Sequence, residues 1–203
     1  MNVYTYFQAL GPSPENEKQK SLLEFWRKDW QLKGWNPTIL GEEDARAHGF
    51  FTEYLGEIKK IKTSNSHAYE KACMIRHLAM SVRGGGLLVD YDVFNLDFRP
   101  EDLPAIPGPL ILGLGVPCAV WGSAAAFEML CKSMAPHCKK FSSDMHIIQH
   151  LKVPGVYTCR EFPDASGKMI HFPAGKIGSE KLEFIQTWLQ KNRRSVAECG
   201  SPS

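Results

Sequence analysis

The sequence predicts an α/β protein with a mostly parallel, Rossmann-like central sheet flanked by helices. Three observations point there. Runs rich in β-branched and aromatic residues alternate along the chain with stretches of helical apolar spacing, the order that builds parallel sheets through helical crossovers. The central run Leu87, Leu88, Val89 is apolar without interruption, as in a strand covered on both faces. The 203 residues, 43% hydrophobic and 23% charged, suffice for one domain with a substantial core.

Taken in order, VYTYF (residues 3–7) has strand composition, and the GPSPENE that follows is turn chemistry. A helix is expected from Glu17 to Leu32, where Leu22, Leu23, Phe25, Trp26 and Trp30 recur at helical spacing. Pro37 to Leu40 gives a second strand, and GEEDARAHG starts another helix. His67 to Val82 reads as an amphipathic helix with Ala68, Ala72, Ile75, Ala79 and Val82 on one stripe, ended by Gly84, Gly85 and Gly86. LLVDYDV is then the central strand, PLILGLG and CAVWGS are buried strands, and SSDMHIIQHL is a helix capped by Ser142 or Ser143. KMIHF forms a short strand followed by the loop PAGKIG, and a helix from Ser179 to Lys191 presents Leu182, Ile185, Trp188 and Leu189 on one face. Residues 1–192 are expected to form one domain, with 193–203 a flexible tail.

Bulk properties narrow the function classes. A formal charge of +2 and a pI near 8.2 are too mild to indicate nucleic acid as a partner. Six cysteines at irregular spacing, with no Cys-x-x-Cys pair, read as reduced structural thiols, and the N-terminus lacks the basic start and apolar run of a signal peptide, so a cytoplasmic protein is expected. The uncharged stretch from Leu103 to Phe127 is interrupted by Pro104, Pro107, Pro109 and Pro117 and by several glycines, so no transmembrane segment is expected.

The chemistry concentrates where the central strand ends. Asp90 and Asp92 sit two apart after an apolar run, and a carboxylate leaving water must be paired, hydrogen-bonded or metal-bound. Hard oxygen ligands suit Mg²⁺ or Mn²⁺, ions that share their coordination with a diphosphate. In α/β sheets, ligands sit beyond the carboxyl ends of strands, where these aspartates lie. Arg76, on the helix before them, would complete the clamp. A turn or cap carboxylate with local hydrogen bonds is the structural alternative.

The block RHLAMSVRGGGLLVDYDV, from Arg76 to Val93, resembles the arginine, spacer, Gly-Gly, apolar strand and Asp-x-Asp segment of sugar-nucleotide glycosyltransferases with the GT-A fold. It is most similar to the group whose sugar-binding region contains a DXD motif, which includes the glucosyltransferase domains of the large clostridial toxins. SLLEFWRKDWQLKGWNPTIL resembles that group's helix, Trp, Gly-Trp and strand segment, and MIHFPAGKIG its terminal His, aromatic, Gly, Lys segment. The resemblance implies the GT-A (nucleotide-diphospho-sugar transferase) fold and retaining transfer of a sugar from a nucleotide-sugar donor, a UDP-sugar, to an unknown acceptor: polysaccharide, lipid, protein or small molecule. It implies Asp92 as direct metal ligand, Asp90 on ribose or on the metal through water, and His171 as the C-terminal metal ligand. Arg76 would contact the nucleotide or its diphosphate and Lys176 the β-phosphate, Thr5, Tyr6 and Phe7 would line the base pocket, and Asp144 would stand near the transferred sugar or acceptor. Ala72-Cys73 replaces the Ser-Asp that often precedes the arginine, removing one expected base or ribose contact.

Each position has a structural alternative: a core histidine at 171, a helix cap at 144, core aromatics in the first strand, a surface ion pair at Arg76. Two rival functions also stand: a non-catalytic nucleotide-sugar or carbohydrate-binding module, and a metal-dependent nucleotidyl- or phosphotransferase. The latter has no phosphate-cradling Gly-x-x-x-x-Gly-Lys loop here.

Overall fold

A computed structural model describes residues 1–9, 14–103, 110–112, 116–151, 158–160, 168–173 and 180–199. The first strand, β1 (Asn2–Tyr6), leads into α1 (Pro14–Leu32), which begins three residues before the expected start, with proline at its first position. β2 (Asn36–Leu40) follows, then α2 (Glu42–Arg46) and α3 (Phe51–Ile58), a helix that the periodicity did not signal. The third long helix, α4 (His67–Val82), has the expected bounds: the Ser66 side chain accepts a hydrogen bond from the Tyr69 amide at 3.2 Å, and Gly84 follows with φ +90.

The central strand is shorter than expected. β3 (Gly85–Val89) stops before Asp90, and β4 (Val93–Asn95) belongs to a second sheet. The Val93 amide bonds back to the Asp90 carbonyl at 2.9 Å, closing a turn through Tyr91 and Asp92. Gly85 and Gly86 belong to this strand because it packs too closely for side chains. A Cβ on Gly85 (φ +85) would lie 2.4 Å from the Gly122 carbonyl oxygen.

Beyond it come β5 (Leu110–Leu112), β6 (Ala119–Ser123), α5 (Ala124–Met134), α6 (Asp144–His150), β7 (Thr158–Arg160), β8 (Met169–His171) and α7 (Lys181–Cys199). The main sheet has the order β2-β1-β3-β6-β5-β7. β1 is parallel to β2 and β3, and β5 to β7, but β6 is antiparallel to both its neighbours, so the sheet is mixed with mostly parallel strands. α7 continues through Cys199, past the start of the expected tail at residue 193.

Alternation along the strands builds two apolar layers. Tyr4, Leu88 and Val120 face α3, α4, α5 and α6, packing on Tyr54, Met74, Leu78 and Phe127. Val3, Leu87 and Val89 face the other way, onto Trp26, Trp30, Phe94 and Ile185. The indole of Trp30 donates to the Val93 carbonyl at 3.0 Å, tying α1 to the second sheet. Among the described residues no helix is long and apolar enough to cross a membrane, and Cys73, Cys118, Cys131 and Cys138 are free thiols.

Candidate metal centre

The end of β3 is held in register by the Asp90 amide, which donates to the Cys118 carbonyl at 2.8 Å. After the turn, β4 pairs antiparallel with β8, placing Val93 opposite His171, and the Phe172 amide donates to the Asp92 carbonyl at 2.9 Å. This pairing brings His171 beside both aspartates. One ligand atom from each of Asp90, Asp92 and His171 lies within 4.8 Å of the others, a separation that one cation spans.

Asp92 is buried, and its two oxygens differ. Oδ2 accepts from Lys181 Nζ at 2.5 Å. Oδ1 faces His171 Nε2 at 3.3 Å and receives no aligned hydrogen bond from any described residue. A buried carboxylate oxygen paired with an imidazole, next to a second carboxylate, fits a divalent ion that takes the place of the imidazole proton. Burial alone would raise the Asp92 pKa, but His171 and Lys181 outweigh it and hold the carboxyl below its usual range. His171 also loses hydration, yet Asp92 raises its pKa to about 10. Asp90 moves the other way, to about 6, chiefly through burial, with Arg76 opposing.

Arg76 lines the cleft with its donors engaged by protein acceptors. Its Nη1 is ion-paired with Asp90, and its Nη2 donates to Asp144 Oδ2 and to the Pro117 carbonyl, both at 3.0 Å. The guanidinium therefore clamps the loop before β6 and the start of α6 around Asp90. The expected contact is with the nucleotide or its diphosphate, and Arg76 stands in the lining of the cleft where such a ligand would lie. Asp144 is not the cap of α6 either: the Ser143 hydroxyl takes that role, accepting from the His146 amide at 3.2 Å. Asp144 is buried, and although burial would raise its pKa, Arg76 and His77 lower it. It holds Arg76 in place.

These groups stand in a cleft of about 460 Å³. Tyr6 and Phe7, at the end of β1, line it as expected, and Phe7 meets Tyr91 edge-on with ring centroids 6.1 Å apart. Thr5, by contrast, is fully buried and lies outside the lining, because alternation turns it away from the face of Tyr4 and Tyr6. Cys73 lines the cleft, its thiol pKa pushed up by burial. Lys176 lies outside the described residues.

Several lining groups had no signal in the sequence. The Lys181 side chain, at the start of α7, is only 15% exposed and closes on Asp92. Glu70, buried in α4, accepts at Oε1 from Thr63 Oγ1 (3.1 Å) and Asn65 Nδ2 (2.7 Å), making a polar stretch of wall.

Residues 1–104 match the family described as "Domain of unknown function (DUF8765)", about half of the sequence. The chain belongs to that family. The DUF8765 span contains β1 through β4, and with them Arg76, Asp90 and Asp92, whereas Asp144, His171 and Lys181 lie beyond it. No curated protein matches the chain.

Proposed function

We propose that this DUF8765 protein is a metal-dependent glycosyltransferase of GT-A type that takes its sugar from a nucleoside diphosphate, with a UDP-sugar as donor. The observation that carries the reading is the convergence of Asp90, Asp92 and His171, from two separate strand ends, inside a ligand-sized cleft. A mixed sheet of mostly parallel strands with the aspartates at the carboxyl end of β3 supports the same reading.

A bound Mn²⁺ or Mg²⁺ would neutralise charge on the departing diphosphate. Arg76, anchored by Asp144, fixes Asp90 in its orientation. Phe7 and Tyr91 offer flat apolar surfaces suited to a base, and Lys181 supplies a cation beside the leaving group. Lys176, in the PAGKIG loop, is proposed as a further phosphate contact. The acceptor is left unassigned.

Cys73 in the cleft, where the resembling group often carries an aspartate, favours a second reading as a nucleotide-sugar-binding protein without turnover. A panel of UDP- and GDP-sugars incubated with Mn²⁺ separates the two. Glycosyl transfer predicts nucleoside diphosphate release from one donor, abolished by EDTA and by Asp92→Ala. Full release in the presence of EDTA contradicts a metal-dependent enzyme, and calorimetric binding with no release over hours favours the binding protein.

A further inference from the structure

Lys181 occupies the cation cluster itself. Its ammonium sits 2.5 Å from Asp92 Oδ2, in a side chain that is mostly buried, at the first residue of α7. Around the cleft end, the carboxylates of Asp90, Asp92 and Asp144 already face the fixed cations Arg76 and Lys181, and Asp92 Oδ1 also meets the His171 imidazole, whose proton an incoming ion would displace. A divalent ion on Asp92 Oδ1 would share one carboxylate with that ammonium, and two cations so close repel strongly where water is excluded. An incoming diphosphate removes the conflict, because its oxygens bring negative charge that the ion and the lysine can both face.

We infer that Lys181 is a resident counter-cation that weakens capture of a free divalent ion and makes ion and diphosphate bind together. The inference rests on the metal-centre reading. It gives Lys181 a role in setting affinity through Asp92, separate from any role in the reaction, and it follows from linkage that each ligand then tightens the other by the same factor.

Calorimetry and Mn²⁺ spin resonance on the full chain test this with Mn²⁺ and inorganic pyrophosphate, compared at equal free Mn²⁺. Wild type is expected to bind Mn²⁺ more tightly by about tenfold or more when pyrophosphate is present. Lys181→Met is expected to bind Mn²⁺ alone about tenfold or more tighter than wild type, with the pyrophosphate enhancement reduced. Lys181→Arg keeps the charge and should retain weak binding of Mn²⁺ alone, which separates charge from any packing defect. If Lys181→Met binds Mn²⁺ alone no better than wild type while both bind it with pyrophosphate, the lysine inference is overturned and the metal centre stands. If neither protein binds Mn²⁺ under any condition, the metal centre itself is wrong.

Discussion

Asp92 holds Lys181 with one oxygen and His171 with the other, on the side proposed for the cation, so its removal should have two separable effects. Asp92→Ala should abolish Mn²⁺ binding and also strand a mostly buried ammonium, costing about 1–3 kcal/mol of stability given the partial exposure of Lys181. The Asp92→Ala/Lys181→Met double variant should regain most of that in chemical denaturation, and an Asp92→Ala protein as stable as wild type would contradict the pairing. Glu70 offers a test by pH. Burial raises its carboxyl pKa in the folded chain, against hydrogen bonds from Asn65 and Thr63 that lower it. A folded pKa above the unfolded one means that ionised Glu70 destabilises the fold at higher pH, and the penalty disappears below the ordinary carboxylate range. The stability of Glu70→Gln relative to wild type should therefore rise as the pH climbs above the ordinary carboxylate range, and a flat difference would show that Glu70 is solvated. The Asp-x-Asp pair was legible at this scale because two carboxylates after an apolar run are chemically unusual, whereas His171 was reached only through the resemblance of MIHFPAGKIG. Lys181 was not legible, since helical periodicity marks the apolar face of α7 but cannot tell a flanking lysine in water from one docked on a carboxylate.

Among the elements, α4 was legible to the residue, because a capping serine and a glycine exit are local signals. The first turn of α5 was hidden at the end of an uncharged stretch, where a buried helix and a buried strand look alike, and α3 is short. The reversal of β6 had no local signature, since direction depends on which neighbours a strand meets. The stop after Val89 was missed because continuous apolar character says nothing of where pairing ends. The glycines at this point are structurally demanding in a way that can be measured. Gly85→Ala should destabilise the protein by more than about 2 kcal/mol, through positive φ together with collision of the new Cβ with the Gly122 carbonyl. A midpoint in urea equal to wild type would mean that β3 and β6 do not approach as closely as described.

For the molecule as a whole, the α/β layering and the carboxyl-end location of the cleft followed from alternation of element types. What it could not supply was the second sheet, whose β4–β8 pairing joins residues far apart in the sequence and seats His171 against the aspartates. The site is thus a product of tertiary pairing, half within the DUF8765 span and half beyond it. The most direct test is anomalous diffraction at the manganese edge from crystals soaked with Mn²⁺ and UDP. The account predicts one manganese peak bridging Asp90, Asp92 and His171 to the diphosphate. A cleft without that peak, with Asp92 still closed on Lys181 and Asp90 on Arg76, would contradict it.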